Sequence, residues 1–536
     1  MKTDKIDRLK IILAVSSGFL LTLSFPRTGI SWLAWFALVP LLVALRDLSP
    51  KKGLYLGLCA GFAHYLSLVY WLAYTMNTYG HLPLYLSVVI LLLLSAYLAL
   101  YVGIFSIALI RLCTNPLFGL FAIPLIWVSL EYIRSFFLTG FPWGLIGYTQ
   151  FDTLHMIQIV DIFGVYGVSF CIALSNAVIF LAFLYLTGKE WQEKAVKTRL
   201  AAGSIMGLVL IIGLVWLYGK GRIQSISELT SDSSSARVTV VQGNISQDKK
   251  WSPAFQRAST EKYIKLSLLA KEQKPDLIVW PETATPFYFL YNNELSKMVK
   301  RGIHDTGVDF LFGSPSFRRW KNKIEYYNSA YLVGPEGNIF GKYDKVHLVP
   351  FGEYVPLKKF LPFLGKIVEH VGDFRSGEKG HTIQWGEYRL GIQICYEIIF
   401  PNLSRAMTKN NAALLINITN DAWFGRSSAP YQHFSMAIFR AVENRRSIIR
   451  SANTGISGFI DPLGRVVAST QLFTDAIMTR SVPILDEKTF YSRFGDLFAM
   501  ACLALTLIAT LYQFVLYLNQ TRINQSTKIT NKNEIK

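Results

Sequence analysis

The sequence predicts a polytopic α-helical membrane protein of about eight spans that carries an extracytoplasmic α/β domain. Three observations predict it. Long runs hold no charged residue, Lys and Arg cluster on one side of those runs, and the segment 220–493 alternates strand-like and helix-like stretches of mixed polarity. Of 536 residues, 51% are hydrophobic and 17% charged, against about 25% charged in soluble domains. That composition excludes a disordered chain, a coiled coil, a small disulfide scaffold and an ordinary soluble enzyme.

The charge-free runs come first. They are 11–26, 28–45, 53–110, 112–130, 162–188, 200–219 and 497–521. A span needs about 20 apolar residues, so 53–110 holds two spans, broken by the polar turn Asn77–His81. Seven spans are therefore expected before Lys220 and an eighth after Asp496, the first two being short. With a cytoplasmic N-terminus, 16 Lys and Arg fall on the cytoplasmic side and only Arg27 and Arg134 on the other. That split is the positive-inside signature. The first run has a basic start like a signal peptide, but no small-residue cleavage site follows, so a retained anchor is expected. The resulting division is 1–219 for seven spans, 220–495 for the outer domain, 496–518 for the eighth span and 519–536 for a cytoplasmic tail.

The segment 220–493 holds 36 basic and 25 acidic residues. Its positive charge fits anionic lipid headgroups nearby; no basic helix or aromatic–basic interleaving points to nucleic acid. Ser225–Ser235 reads as a polar entry linker. Strands are expected at 238–242, 276–280, 309–312, 329–333, 388–394 and 412–418, with helices at 256–272 and 431–447 and a closing hairpin at 458–461 and 466–469. In such α/β domains reactive residues collect at the carboxyl ends of strands, where Glu282, Cys395, Asn420 and Asp421 stand.

Of the five cysteines, Cys59, Cys113, Cys171 and Cys502 lie in or beside spans, where Cys acts as a small apolar residue. Cys395 alone lies in the outer domain, without an intramolecular disulfide partner there. Two charged sites accompany it: Glu282, following an apolar strand, and Lys345, flanked by Val346 and Leu348. A partly desolvated carboxylate is a usable base, and a fixed cation can hold an oxyanion. His347 is a second candidate base for the thiol. His304, His347, His370, His381 and His433 have no metal-ligand spacing, so neither metal nor cofactor is expected.

Trp280-Pro-Glu282, Lys345-Val-His-Leu-Val-Pro-Phe-Gly-Glu353 and Cys395-Tyr-Glu397 resemble the Glu-Lys-Cys set of the nitrilase superfamily. With Asn420-Asp-Ala-Trp-Phe-Gly425 and the spans, the chain resembles the membrane-embedded branch, the bacterial apolipoprotein N-acyltransferases. The resemblance covers 11–518. It implies an αββα domain on the periplasmic face of the inner membrane. It implies transfer of a fatty acyl chain from a glycerophospholipid to the N-terminal amine of a diacylglyceryl-cysteine apolipoprotein, with a monomer expected. By motif, Glu282 matches the general base, Lys345 the oxyanion-stabilising residue, Cys395 the nucleophile and Glu353 a supporting glutamate. Trp251, Tyr396, Glu397 and Trp423 match positions near substrate or on mobile loops, although Trp423 also reads as core packing.

Acyl transfer from ester to amine divides into two steps through a thioester, and a ping-pong order follows. A membrane-tethered amidase would use the same three residues, but an anchor needs one span. A transporter would need charged residues in its spans, and only Glu131, Arg134 and Asp161 lie there, near the outer ends. Phe287–Tyr291 and Tyr354–Val368, with Phe360, Leu361, Phe363, Leu364 and Ile367, are candidate loops that dip into the membrane interface.

Overall fold

In the computed structural model, which describes residues 5–321, 323–354 and 374–534, prolines mark the starts of several helices in the apolar runs, although Pro124 lies inside one. The first run is the 16-residue helix α1 (Arg8–Leu23). The second is broken: a short 3₁₀ turn (Ser31–Trp35) precedes α2 (Val39–Leu45), whose first turn contains Pro40. Proline lacks the N–H that a helix interior needs and clashes with the preceding turn, so a helix begins at Pro40 rather than passing through it. Helices α3 (Pro50–Leu68) and α4 (Trp71–Thr78) are bent by 50° at the break between them. They are followed by α5 (Leu84–Leu112) and α6 (Pro116–Arg134).

After α6 the chain folds back through short turns, α7 (Leu154–Ile157) and α8 (Val160–Phe163), before α9 (Val165–Leu186). Two-residue strands β1 (Glu190–Trp191) and β2 (Lys194–Ala195) turn it into α10 (Thr198–Asp232). Among the described residues, α5, α6, α9, α10 and Leu497–Asn519 are long and apolar enough to cross a membrane, and α3 with α4 makes a sixth. Small residues let these helices approach closely. A Cβ on Gly18 of α1 would lie 2.3 Å from the Ala60 carbonyl of α3, and one on Gly57 2.6 Å from the Val102 carbonyl of α5.

The expected linker Ser225–Ser235 is mostly helix. α10 runs unbroken for 35 residues to Asp232, through the 219/220 boundary. No proline or glycine follows Gly221 before Asp232, and Ile226 is buried. Serine costs an interior helix position only a few tenths of a kcal/mol, so a serine-rich stretch without breakers continues the helix.

The outer domain contains two six-stranded sheets. One has the order β14 (Ala476–Pro483), β3 (Ser235–Gln242), β4 (Leu277–Val279), β5 (Asp309–Trp320), β6 (Lys323–Val333), β7 (Ile339–Asp344). The other has β13 (Val466–Ser469), β12 (Gly458–Ile460), β11 (Ile448–Ala452), β10 (Leu414–Thr419), β9 (Tyr388–Ile394), β8 (Thr382–Trp385). The inner strands β3–β4–β5 and β9–β10–β11 are parallel. Strand alternation explains the layers. Val238, Val240, Leu277, Val279 and Leu311 share a core with Ile392, Ile394 and Ile416 between the sheets. Val241, Ile278, Phe310 and Phe312 face the other way, onto Tyr263 of α12 (Pro253–Ala270) and Val299 and Ile303 of α13 (Asn293–Thr306). Strands buried on both faces read as continuous apolar runs, which is why they were visible in the sequence.

Helices α14 (Pro401–Lys409) and α15 (Ala429–Asn444) cover the second sheet, giving four layers, αββα. α15 also faces the helical N-terminal part: Arg440 donates to the Tyr148 hydroxyl (3.1 Å) and Arg445, just past the helix, pairs with Asp161 (2.6 Å). The chain ends in α16 (Phe490–Phe494) and α17 (Leu497–Glu534). Within Phe287–Tyr291 the side chains alternate: Phe287 and Phe289 are buried in the domain core, while Leu290 and Tyr291 are exposed. The interface-loop residues Phe360 to Ile367 lie outside the described residues.

Candidate active site

The site forms where strand ends from both sheets meet. Glu282 follows β4 after Trp280-Pro281, Lys345 follows β7 directly, Cys395 follows β9, and Asn420 follows β10. The Asn420 backbone N–H donates to Glu282 Oε2 at 3.0 Å, joining one sheet's end to the other's.

Lys345, buried, places Nζ 2.9 Å from Glu353 Oε1 and 3.8 Å from Glu282 Oε1. Asn328 of β6 donates through one amide nitrogen to both, at 2.8 Å to Glu282 Oε1 and 3.0 Å to Glu353 Oε1. The second oxygen of Glu353 accepts from the Val349 N–H at 2.8 Å. Burial alone would discharge Lys345, but the charges of Glu353 and Glu282 outweigh it and hold the ammonium charged well beyond the ordinary lysine range. A second buried lysine, Lys250 of α11 (Gln247–Lys250), donates to the Glu282 carbonyl at 3.0 Å. Burial lowers its pKa to about 8, against the opposing charge of Glu282.

Cys395 sits at φ +55°, in the left-handed region, which turns it away from the strand line. Desolvation, then the Glu282 charge, raises its pKa, and Lys345 opposes them. The resting sulfur is therefore a thiol, within the electrostatic reach of the Glu282 carboxylate and the Lys345 ammonium.

Glu397 lies beneath this cluster, fully buried. Its carboxylate accepts from the backbone N–H of Ile394 (2.7 Å), Val346 (2.6 Å) and His347 (3.0 Å) and from the Tyr343 hydroxyl (3.0 Å). Burial raises its pKa to about 7 against those donors. It braces the Lys345 segment to the Cys395 turn from below. The His347 ring packs on Phe400, centroids 3.7 Å apart, and burial with Lys345 lowers its pKa to about 4. The His347 ring is thus neutral and stacked on Phe400, while Glu282 is the carboxylate whose charge reaches Cys395. Tyr396 packs edge-on to Phe400 at 5.2 Å, and Trp251 is half exposed after α11. Trp423 is held from the N-terminal part: its carbonyl accepts from Thr75 Oγ1 (2.8 Å) and its ring meets Tyr79 edge-on at 5.4 Å.

Asn328, Lys250, His433, Asn417 and Arg450 escaped sequence reasoning as site residues. Asn328 interrupts a strand, a recoverable signal; Lys249-Lys250 reads as a surface pair. Among the described residues no group of three His, Cys, Asp or Glu side chains is placed to hold a metal ion.

Fold and site together define a Glu-Lys-Cys domain of the carbon-nitrogen hydrolase class joined to an apolar helical part. Residues 237–486 match the carbon-nitrogen hydrolase family, and 17–178 the apolipoprotein N-acyltransferase N-terminal domain. An apolipoprotein N-acyltransferase of Geobacter metallireducens is 43% identical over 502 residues, 94% of each chain. One of Methylococcus capsulatus is 32% identical over 499 residues, 91% of this chain and 92% of the relative. A crystal structure of an amidase from Nesterenkonia sp. superposes with TM-score 0.37 at 18% identity, covering 49% of this chain and 94% of that one. The chain belongs to the apolipoprotein N-acyltransferase family.

Proposed function

We propose that the enzyme moves one acyl chain from a glycerophospholipid to the N-terminal amine of a diacylglyceryl-cysteine apolipoprotein, through a thioester on Cys395. The observation that carries this reading is the buried Lys345 ammonium between two carboxylates, 2.9 Å from Glu353 and 3.8 Å from Glu282, at the strand ends that present Cys395. Sγ attacks the ester carbonyl carbon as the thiol proton passes to Glu282. Lys345 holds the oxyanion, an interaction worth about 3–4 kcal/mol. The C–O bond then breaks and Glu282 returns the proton to the departing lysophospholipid oxygen. A neutral amine next attacks the thioester carbonyl, its proton passes to Glu282, and as the C–S bond breaks Glu282 returns that proton to the sulfur, restoring the thiol.

In this reading residues 1–219 and 496–518 are membrane-embedded as eight spans, with 220–495 on the periplasmic face of the inner membrane and 519–536 in the cytoplasm. The 16 Lys and Arg on the opposite side support that orientation. The enzyme works as a monomer without a cofactor. Relatives matched along nearly the whole chain, helical part included, favour transfer over amide hydrolysis. Initial rates at several fixed lipopeptide concentrations test the order of events: parallel double-reciprocal lines are expected of two half-reactions sharing one thiol. Intersecting lines, or steady lysophospholipid release without acceptor, would reject the transferase scheme.

A further inference from the structure

The Cys395 turn is held on its far side by groups outside the charged cluster. At φ +55° it is a conformation that a non-glycine residue keeps only where its surroundings impose it. Its carbonyl accepts from His433 Nε2 at 3.2 Å and more distantly from Asn417 Nδ2 at 3.4 Å. A carbonyl can only accept, so Nε2 carries the hydrogen and Nδ1 of the neutral ring is an acceptor. Arg450 Nη2 donates to that Nδ1 at 2.9 Å, and also to Asp421 Oδ2 at 2.8 Å. Asp421 Oδ1, 3.1 Å from the same ring nitrogen, takes its hydrogen from Thr419 Oγ1 at 2.9 Å. Burial, then the Arg450 charge, keeps the His433 pKa below its ordinary value, so the ring remains neutral in this one tautomer.

The His433 ring stacks on Trp143, with centroids 5.7 Å apart and planes at 23°. Trp143 Nε1 also donates to Gln432 Oε1 at 2.8 Å. Trp143 does not belong to the α/β domain; it lies in the loop after α6, fully buried. Two charged residues of α6 fix that loop. Arg134 donates to the carbonyls of Phe141 (3.2 Å), Trp143 (2.6 Å) and Gly144 (3.2 Å). Glu131 Oε1 accepts from the Ile146 N–H at 2.7 Å and from Trp127 Nε1 at 3.1 Å. Charged side chains in an apolar helix are costly and mark functional positions; here both are committed to one loop.

We propose that Trp143 and His433 are positioning residues of the catalytic centre: the loop held by Glu131 and Arg134 presses Trp143 onto His433, which fixes the Cys395 carbonyl and with it the direction of the thiol. The helical N-terminal part thus supplies a component of the active site as well as an anchor. This rests on Cys395 being the nucleophile.

The test uses the full chain in phospholipid vesicles and follows acyl-enzyme formation from phospholipid and from a soluble short-chain p-nitrophenyl ester. Trp143→Leu and His433→Leu should slow acylation about 10- to 100-fold with both donors alike, as a displaced attacking atom does, and leave the half-saturating donor concentration unchanged. Trp143→Phe, which keeps a stacking ring, and His433→Gln, which keeps a donor within reach, should recover most of the rate. A loss confined to phospholipid, or seen as a raised half-saturation, would make Trp143 part of the donor's path and overturn the proposal. If a leucine variant does not accumulate, His433→Asn replaces it. Its shorter donor cannot reach the Cys395 carbonyl, so a slower Asn than Gln variant upholds the proposal and equal rates overturn it. An acyl adduct on Cys395→Ser would instead remove the underlying reading of the nucleophile.

Discussion

Lys345 Nζ is closer to Glu353 Oε1, at 2.9 Å, than to Glu282 Oε1, at 3.8 Å. The lysine's nearest counter-charge is therefore the carboxylate that lies away from proton transfer. In the proposed scheme Glu353 keeps the ammonium charged while Glu282 gains and loses a proton, so oxyanion stabilisation and base catalysis do not compete for one partner. In Glu353→Gln the lysine turns to Glu282 and weakens it as a base. Single-turnover acylation should fall about 100-fold or more, with the half-saturating phospholipid concentration little changed. Unaltered acylation in that variant would show that Glu282 and Lys345 need no third charge.

In the proposed scheme Lys250 should make the acylation step pH-dependent. With Lys250 and Lys345 charged and Glu282 and Glu353 ionised, these four groups sum to zero, and they and the substrate oxyanion still sum to zero once Glu282 has taken the thiol proton. Lys250, lowered to about 8 by burial, is charged below that pH and neutral above it, leaving one uncompensated negative charge. Acyl-enzyme formation should decline as pH rises through about 8, and Lys250→Met should lower the plateau and abolish that inflection. An inflection that persists in Lys250→Met belongs to another group.

Asp161 ties the helical part to the outer domain. It receives Arg445 Nη2 (2.6 Å), Arg222 Nε (3.0 Å) and the Tyr218 hydroxyl (2.8 Å). Removing one partner of a buried ion pair costs about 3–5 kcal/mol; Arg222 remains, so Arg445→Met should fall near the lower end. Thermal unfolding in detergent measures it, and an unchanged midpoint would mean that the junction holds without this pair.

The strands that end at Glu282, Cys395 and Asn420 were legible because strands buried on both faces are apolar throughout and those residues break the pattern, whereas β7, which leads into Lys345, is half exposed and did not show. Asp421 stood at such an end too, but its partners did not show: Arg450 lies inside β11, a strand whose polar Arg-Ser interior hides the apolar pattern. Asn328 and Lys250 were missed for a related reason. A polar side chain in a strand or a short turn reads as solvated, and only the meeting of two sheets makes it buried. Ser225–Ser235 misled in the opposite sense, because serine content signals solubility rather than the absence of helix. Trp143 could not be linked to His433 at all, since 290 positions separate them in the chain and only the folding back of the loop after α6 joins them.

In the proposed reaction Cys395 carries the acyl group between a lipid ester and a lipopeptide amine. Intact-mass spectrometry of the whole protein after exposure to a phospholipid of one defined chain tests it most directly. The expected result is a mass gain of one such acyl group, located on Cys395, absent in Cys395→Ser, and discharged quantitatively onto a diacylated lipopeptide. An adduct on another residue, or product formed at the normal rate by Cys395→Ser, would contradict it.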